Sequence, residues 1–461
     1  MTPHSSLLRT VVSSVCVALV AVAATACNDF LAVKNPGAAP IDKIGDPANA
    51  ALLVNGAINE FQTMIGTVAM YSNDLSDEIT AAHSNNSYRD LDRRDFNESL
   101  DLVALTYSPI HRARFAADTT ATILIKQRGD SARLDTRIAR MLSLVGYSRV
   151  ILGETFCSSP INLSAPYTPA ELFGQSIAQF DSAIAIATAA KAAATTTAQT
   201  AVADTMLNLA LVGAARASLD AGNKTKAIEY ASPVPATFDF RANYSEGIPT
   251  TPGLPVNPFW NATGVPGTPG LPTTNSSNGI AFASGSLWYI VATPFQGLND
   301  PRMPITTSQV STMSTVDALR RGYVPLKPKS FGGYTAAGAA ITPGASIRVA
   351  SGKEAQYIVA EANAGNAATL AFVNQERLAN GMTPSTAASP AEVLADLRDQ
   401  RRREFFLDGH RLGDIRRYKE QYNVNFFPTG AYLGGTTQYG PAECMPIPVS
   451  ESNANPNVPR P

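Results

Sequence analysis

The chain has 461 residues, with 36 lysines and arginines against 37 aspartates and glutamates, a formal net charge of −1. Its 45% hydrophobic content is that of a globular protein with a large core, and the neutral balance gives no electrostatic footprint for nucleic acid. The 4 histidines and 4 cysteines show no metal spacing: His83, His111 and His410 stand isolated, and no Cys-x-x-Cys occurs.

Arg9 precedes an apolar run, from Leu7 and Leu8 through Val11, Val12 and Val15, that ends in Ala24-Thr25-Ala26-Cys27. A weakly basic start, an apolar stretch short for a bilayer and small residues before a cysteine predict an exported precursor with a lipoprotein signal peptide over 1–26. Cys27 then becomes the lipid-bearing first residue of the mature chain, an anchor rather than a span. Cys16 lies in the discarded segment. The remaining pair, Cys157 and Cys444, sits in proline-bearing, turn-like segments. In an oxidising envelope they either bridge, stabilising the fold by about 3–5 kcal/mol in the entropy model, or persist as two small buried hydrophobes.

Residues 27–46 read as a lipidated tether and 47–232 as a helical body. Ala51, Leu52, Val54, Ala57, Ile58 and Phe61 share a face, and a second helical run passes through Met70, Leu75 and Ile79. The acidic cluster Asp74, Asp77 and Glu78 has no calcium-loop spacing and no glycosidase pairing, and reads as a solvated or hydrogen-bonded face. Residues 81–97 break the period and predict a polar loop. Helical period returns from Leu102 to Leu124 and from Ile138 to Val150, and Thr168-Pro169-Ala170-Glu171 has the spacing of a capping box. The Ala/Thr-rich run 187–201 predicts an exposed connection or frayed helix end. Ala210, Ala214 and Ala217 let two antiparallel helices approach closely within 203–231, the tetratricopeptide style of packing.

From 233 to 345 the helical period disappears and Gly and Pro crowd 248–272, which predicts a loop-rich insertion with short strands at 287–290 and 322–326. Residues 346–461 carry a second helix pair, 354–364 with 370–378, and a closing helical segment. In 400–418, Leu397, Arg401, Glu404 and Phe405 share one helical face, and Arg411 and Asp414 follow Gly409 at a spacing of three. Apolar Phe405, Phe406, Leu407, Leu412 and Ile415 are threaded through these charges. The pattern predicts two helices bent at Gly409 and pinned by a partly buried charge network, with Asp408 pairing Arg401 or Arg411.

This segment resembles the C-terminal signature of the SusD/RagB family, with Gln400 where the family has Glu and Asp408 in place of the Glu before Gly409. Other segments resemble the family in its order: Asp29-Phe30-Leu31 after Cys27, Asp300-Pro301-Arg302, the stretch from Gln356 to Arg377, and the Pro446-Ile447-Pro448 ending with Asn455-Pro456-Asn457. The resemblance implies a mostly α, SusD-like fold of tetratricopeptide-like helix pairs with an irregular insertion. It further implies a surface-exposed outer-membrane lipoprotein that passes a nutrient, an oligosaccharide first, to a TonB-dependent SusC-like transporter. Arg401, Glu404, Asp408, Gly409, Arg411 and Asp414 mark the fold and not the ligand site.

Binding residues are expected elsewhere. The two tryptophans, Trp260 and Trp288, both lie in the insertion, flanked by Phe259, Asn261 and Tyr289. Flat rings beside amides suit sugars, whose C–H faces stack while hydroxyls find polar partners. Tyr88 and Asn86 of the polar loop are further candidates. No nucleophile elbow or phosphate-cradling loop appears, so binding without catalysis, cofactor or metal is expected. A helical-repeat scaffold that docks another envelope protein is the alternative.

Overall fold

The computed structural model describes residues 45–81, 86–245, 257–258, 288–289, 293–303, 310–311, 321–322 and 344–460. The chain divides into a short N-terminal unit, Met1–Asn49, and a body, Ala50–Pro461. Within the first, one 3-10 turn spans Pro47–Asn49. Twelve α-helices are described in the body: α1 Ala50–Leu75, α2 Asn86–Asp92, α3 Asp101–Arg128, α4 Thr136–Thr155, α5 Pro169–Ala192, α6 Thr197–Asp220, α7 Lys224–Ala231, α8 Gly352–Ala362, α9 Ala367–Ala379, α10 Pro390–Glu404, α11 Arg411–Tyr422 and α12 Val449–Ala454. Strands β1 Thr80–Ala81, β2 Asp239–Ala242, β3 Trp288–Tyr289, β4 Val310–Ser311, β5 Arg321–Gly322 and β6 Ile347–Ser351 form three antiparallel two-stranded ribbons, β1–β3, β2–β6 and β4–β5. No helix among the described residues is long and apolar enough to cross a membrane.

The body is built by stacking successive helices, α1 on α3, α3 on α4, α4 on α5, α5 on α6 and α6 on α7. One ring shows why this works. Phe180 of α5 is fully buried between α4 and α6, and a Cβ on Gly146 or Gly213 would stand 2.7 or 2.3 Å from it. Two glycines on facing helices thus make the slot that the aromatic fills, and Tyr147 closes it edge-on at 5.1 Å. The expected tetratricopeptide-like pairs are present, α6 with α7 and α8 with α9 among them. The capping box at the start of α5 forms as expected: Glu171 accepts from Thr168 N–H at 2.8 Å while Glu171 N–H donates to Thr168 Oγ1.

Three expectations are corrected. The two runs expected between Ala51 and Ile79 are a single α1 that stops at Leu75, leaving Ile79 outside it. The predicted polar loop at 81–97 contains α2, whose Leu91 and Asp92 turn into the core. The Ala/Thr run is not a connection: residues up to Ala192 complete α5, Thr197 starts α6, and only 193–196 join them. Alanine is the best helix former, and Thr196 caps α6, so low complexity here costs no helicity. The β2–β6 ribbon was not anticipated; it pairs the start of the insertion with the residues that lead into α8. The short strands expected at 287–290 and 322–326 appear as β3 and β5, the latter one residue early.

Cys157 and Cys444 are disulfide-bonded, with Cα atoms 5.1 Å apart across 287 residues. Backbone bonds from Cys157 to Met445 and from Met445 to Thr155 flank the bridge, so the C-terminal segment is sewn to the end of α4.

Candidate ligand-binding face

The charged helical core comes first, because it positions everything near it. Arg417 is buried and answers three acids from three elements: Asp220 at 2.7 Å, Glu361 at 3.0 Å and Asp414 at 2.8 Å. Arg401 takes the other Asp414 oxygen at 2.8 Å, Arg216 forks onto Glu354, and Arg411 forks onto Asp77 with both bonds at 2.6 Å. Burial opposes ionisation of Asp414, but the guanidinium groups of Arg401 and Arg417 outweigh it and hold the carboxyl down at about 2. Gly409 turns the chain from α10 into α11 at φ +81°, with Ala69 so close that a Cβ would sit 3.2 Å from its Cα.

The bend and its pinning are as the sequence indicates, but the pairings differ. Asp408 faces Arg348 of β6 at 3.8 Å, and Glu404 binds the same guanidinium at 2.9 Å, so Asp408 pairs neither Arg401 nor Arg411. Arg411 already forks onto Asp77, and Arg401 is held by Asp414 through its Nε. The acidic cluster is likewise not a solvated face: Asp74, Asp77 and Glu78 are all buried. Gln400, one of the two departures from the resembled pattern, accepts from Arg302 at 2.9 Å, which also forks onto Asp300.

His410 and His111 are not isolated. His410 lies 2.8 Å from Arg216 and 3.6 Å from Glu354, and burial followed by the charge of Arg216 pushes its pKa down. His111 Nε2 stands 3.1 Å from Ser159 Oγ, a geometry that in an open cleft would suggest a nucleophile. Here Ser159 is fully buried and donates to the Pro160 carbonyl. Burial, with Arg114 nearby, drives His111 down to about 3, and its ring stacks on Tyr107 at 4.2 Å. The pair fastens the turn after α4.

The expected binding residues converge on one place as far as they are described. Phe259, Trp260 and Asn261 lie outside the described residues, as do Asn85, the Asp29-Phe30-Leu31 segment and Cys27. Trp288 and Tyr289 form β3, whose backbone pairs with β1 in the register Thr80↔Tyr289 and Ala81↔Trp288. Asn86 opens α2 and is exposed; Tyr88, half-buried, has its ring 6.3 Å from Tyr71 and its hydroxyl bonded to that of Tyr71. The ribbon and α2 therefore put four of the seven candidates along one stretch of backbone, 80–92 and its partner strand.

Around it sit residues that the sequence did not suggest. Asp92, at the end of α2, accepts from Ala81 N–H at 3.0 Å and from the Tyr432 hydroxyl at 2.7 Å. Tyr432 meets Tyr439 edge-on at 5.2 Å, and Arg94 lies between the faces of Phe427 and Tyr439, its guanidinium donating to the Ala442 and Pro428 carbonyls. The Gly/Thr-rich stretch 428–440 thus lends two tyrosines to this face. Their only sequence signal is aromatic residues placed in a turn-rich segment.

No protein-family model matches the chain, and no curated protein matches its sequence. Solved structures do match in shape. A surface glycan-binding protein from Bacteroides uniformis superposes with a TM-score of 0.62 at 14% identity, over 89% of this chain and 98% of that one. A SusD superfamily protein from Bacteroides vulgatus gives 0.60 at 13% identity over the same shares. The chain has the SusD-like fold. A laminarin-binding SusD-like protein is a third neighbour, with a TM-score of 0.56 and 15% identity over 89% of this chain and 98% of that one.

Proposed function

We propose that this protein is a lipid-anchored, surface-exposed outer-membrane protein that captures a carbohydrate and delivers it to a TonB-dependent SusC-like transporter. The observation that carries the reading is the SusD-like fold over nine-tenths of the chain, shared with neighbours named for glycan and laminarin binding. The signal-like start with Cys27 supports the anchor, and the aromatic and amide residues around β1, β3 and α2 support a sugar-holding face. Capture is non-covalent: rings take the C–H faces, amides and tyrosine hydroxyls take the sugar hydroxyls, and nothing is cleaved.

The test is a glycan array with the mature, non-acylated chain, followed by calorimetry on each hit. A β- or α-glucan oligosaccharide is expected to bind, with affinity about tenfold weaker in Trp288→Ala, the cost of about 1.4 kcal/mol of lost stacking. A folded protein that binds no glycan, and that captures a non-transporter envelope protein from membrane extracts, establishes the scaffold reading instead.

A further inference from the structure

The floor of the β1–β3 ribbon holds two carboxyl groups that the capture reading does not use. Asp74 ends α1 fully buried, and neither of its side-chain oxygens has a hydrogen-bond partner. Asp92 ends α2, also buried, and ties Ala81 of β1 to Tyr432 of the C-terminal segment through a single oxygen. The groups facing the pair are Tyr71 on α1, Tyr88 and Arg89 on α2, Asp101 at the start of α3, and Tyr432 with Tyr439 behind it. Arg89 is the one cation in this set, and it bears on Asp92 only. We propose that Asp74 and Asp92 form a proton-operated latch that sets how firmly β1, and through it the β1–β3 ribbon, is held to the helical body.

Two carboxylates sharing a dry site cannot both ionise without strong repulsion, so the pair keeps a proton that isolated carboxylates would have lost. Burial, and then the charge of Asp92, raise Asp74 well above the ordinary range. Burial pushes Asp92 up to about 7, against the opposing bonds from Tyr432 and Ala81 and the charge of Arg89. The first ionisation is thus tolerated, because Asp92 remains held by an N–H, an O–H and a cation. The second leaves Asp74 charged with no donor at all, and only opening of the pocket to water relieves it.

The sign follows from linkage. Both carboxyls have folded values above the ordinary one, so their stabilisation of the closed pocket is complete below about pH 4 and is lost as pH rises through the folded values. The latch is firm in acid and loosens in alkali. Because β1 pairs with Trp288 and Tyr289, loosening frees the strand that carries two expected stacking residues. That last consequence rests on the capture reading; the latch itself does not.

The test is amide hydrogen exchange of the ligand-free mature chain from about pH 6 to about pH 9.5, each rate divided by the intrinsic rate at that pH. In peptides covering β1 and β3, protection in the wild type is expected to fall about fivefold or more across this range, and less than about twofold in Asp74→Asn, which cannot form the second charge. Asp92→Asn removes the repulsion but leaves Asp74 buried without a donor, so its fall in protection is expected at a different pH from the wild type, and failure of one variant to fold leaves the question answerable. His83→Gln, which removes the one histidine between β1 and α2 in the sequence, must keep the wild-type curve, since an ordinary histidine titrates close to this range. Asn variants that follow the wild type, a wild type without pH dependence, or protection restored at high pH by millimolar calcium would each overturn the latch. Glycan affinity of the same variants, measured separately, tests the capture reading and leaves the exchange result untouched.

Discussion

Asp414 and Asp92 are buried to the same degree, yet one carboxyl is held at about 2 and the other is pushed up to about 7. The difference is the company each keeps. Asp414 accepts from two guanidinium groups, whereas Asp92 accepts from an amide and a phenol and faces a second carboxyl. In the charged core of α10 and α11, Asp414 is answered by Arg401 and Arg417 and stays ionised near neutrality, so it is fixed scaffold. Beneath the β1–β3 ribbon Asp74 has no hydrogen-bond donor, and a proton becomes part of the structure. Burial alone therefore does not say which buried acids are structural; the number of cations aimed at them does.

The comparison breaks most severely if the cation at the centre of the core is removed. Arg417→Ala strands Asp220 and Glu361 and leaves Asp414 on Arg401 alone, and unfolding in urea is expected to show a loss of about 3–5 kcal/mol. A loss under about 1 kcal/mol would mean that water already shares these acids and that the core is not the dry scaffold described. Removing the disulfide with Cys157→Ser and Cys444→Ser together is expected to cost about 2–4 kcal/mol, since the bridge closes a loop of 287 residues, while glycan affinity stays unchanged. Gly409→Ala should cost about 1–3 kcal/mol, because the residue is held at φ +81° against Ala69. The same change at exposed Gly56, where no atom lies within 4 Å, should be neutral or slightly stabilising.

Acid separates the two regions without mutation. Asp414 has a depressed folded value, so its contribution is present above the ordinary carboxylate value near 4 and is lost as pH falls through about 2. Glu354, buried but held well below the usual range by Arg216 and His410, adds to the same limb. Urea titrations from about pH 5 to about pH 2 should show stability falling in the wild type and a shallower slope in Asp414→Asn.

Local rules made much of the scaffold legible. The capping box of α5, the bend at Gly409 and the small-residue helix pair are all settled within a few residues of chain, where spacing carries the physics. The charge pairs were not legible. Arg411 finds Asp77 at a separation of 334 residues, and Arg417, not singled out at all, proves to be the hub. A side chain's sequence neighbours say that it will be buried with charge but not which acid will meet it. The same limit hid the carboxyl pair: Asp74 looked like part of a polar face, and its counterpart lies 18 positions on, tied to a tyrosine 340 residues further. Of the candidate ligand residues, the placement of Trp288 and Tyr289 on a strand was readable from composition. That Thr80 and Ala81 would be their partners was not.

The smallest expected effect is also the sharpest test of the rule that cations, not burial, decide. Glu154 on α4 lies within the charged core but behaves like the ribbon pair: burial, and then the charge of Asp220, raise it well above the ordinary range. By the same rule it carries a proton, beside an Asp220 that binds Arg417 through one oxygen and keeps the other without a partner. Glu154→Gln keeps both the shape and the donor, so at neutral pH the change should be under about 1 kcal/mol in either direction. A group with a raised folded value loses its contribution as pH rises, so the glutamine variant should gain on the wild type steadily towards alkaline pH. If instead the variant loses several kcal/mol at neutrality, Glu154 is ionised and bonded to a guanidinium, and the charged core answers every acid it contains. The division between scaffold and proton site would then coincide with the division between the α10–α11 core and the β1–β3 ribbon.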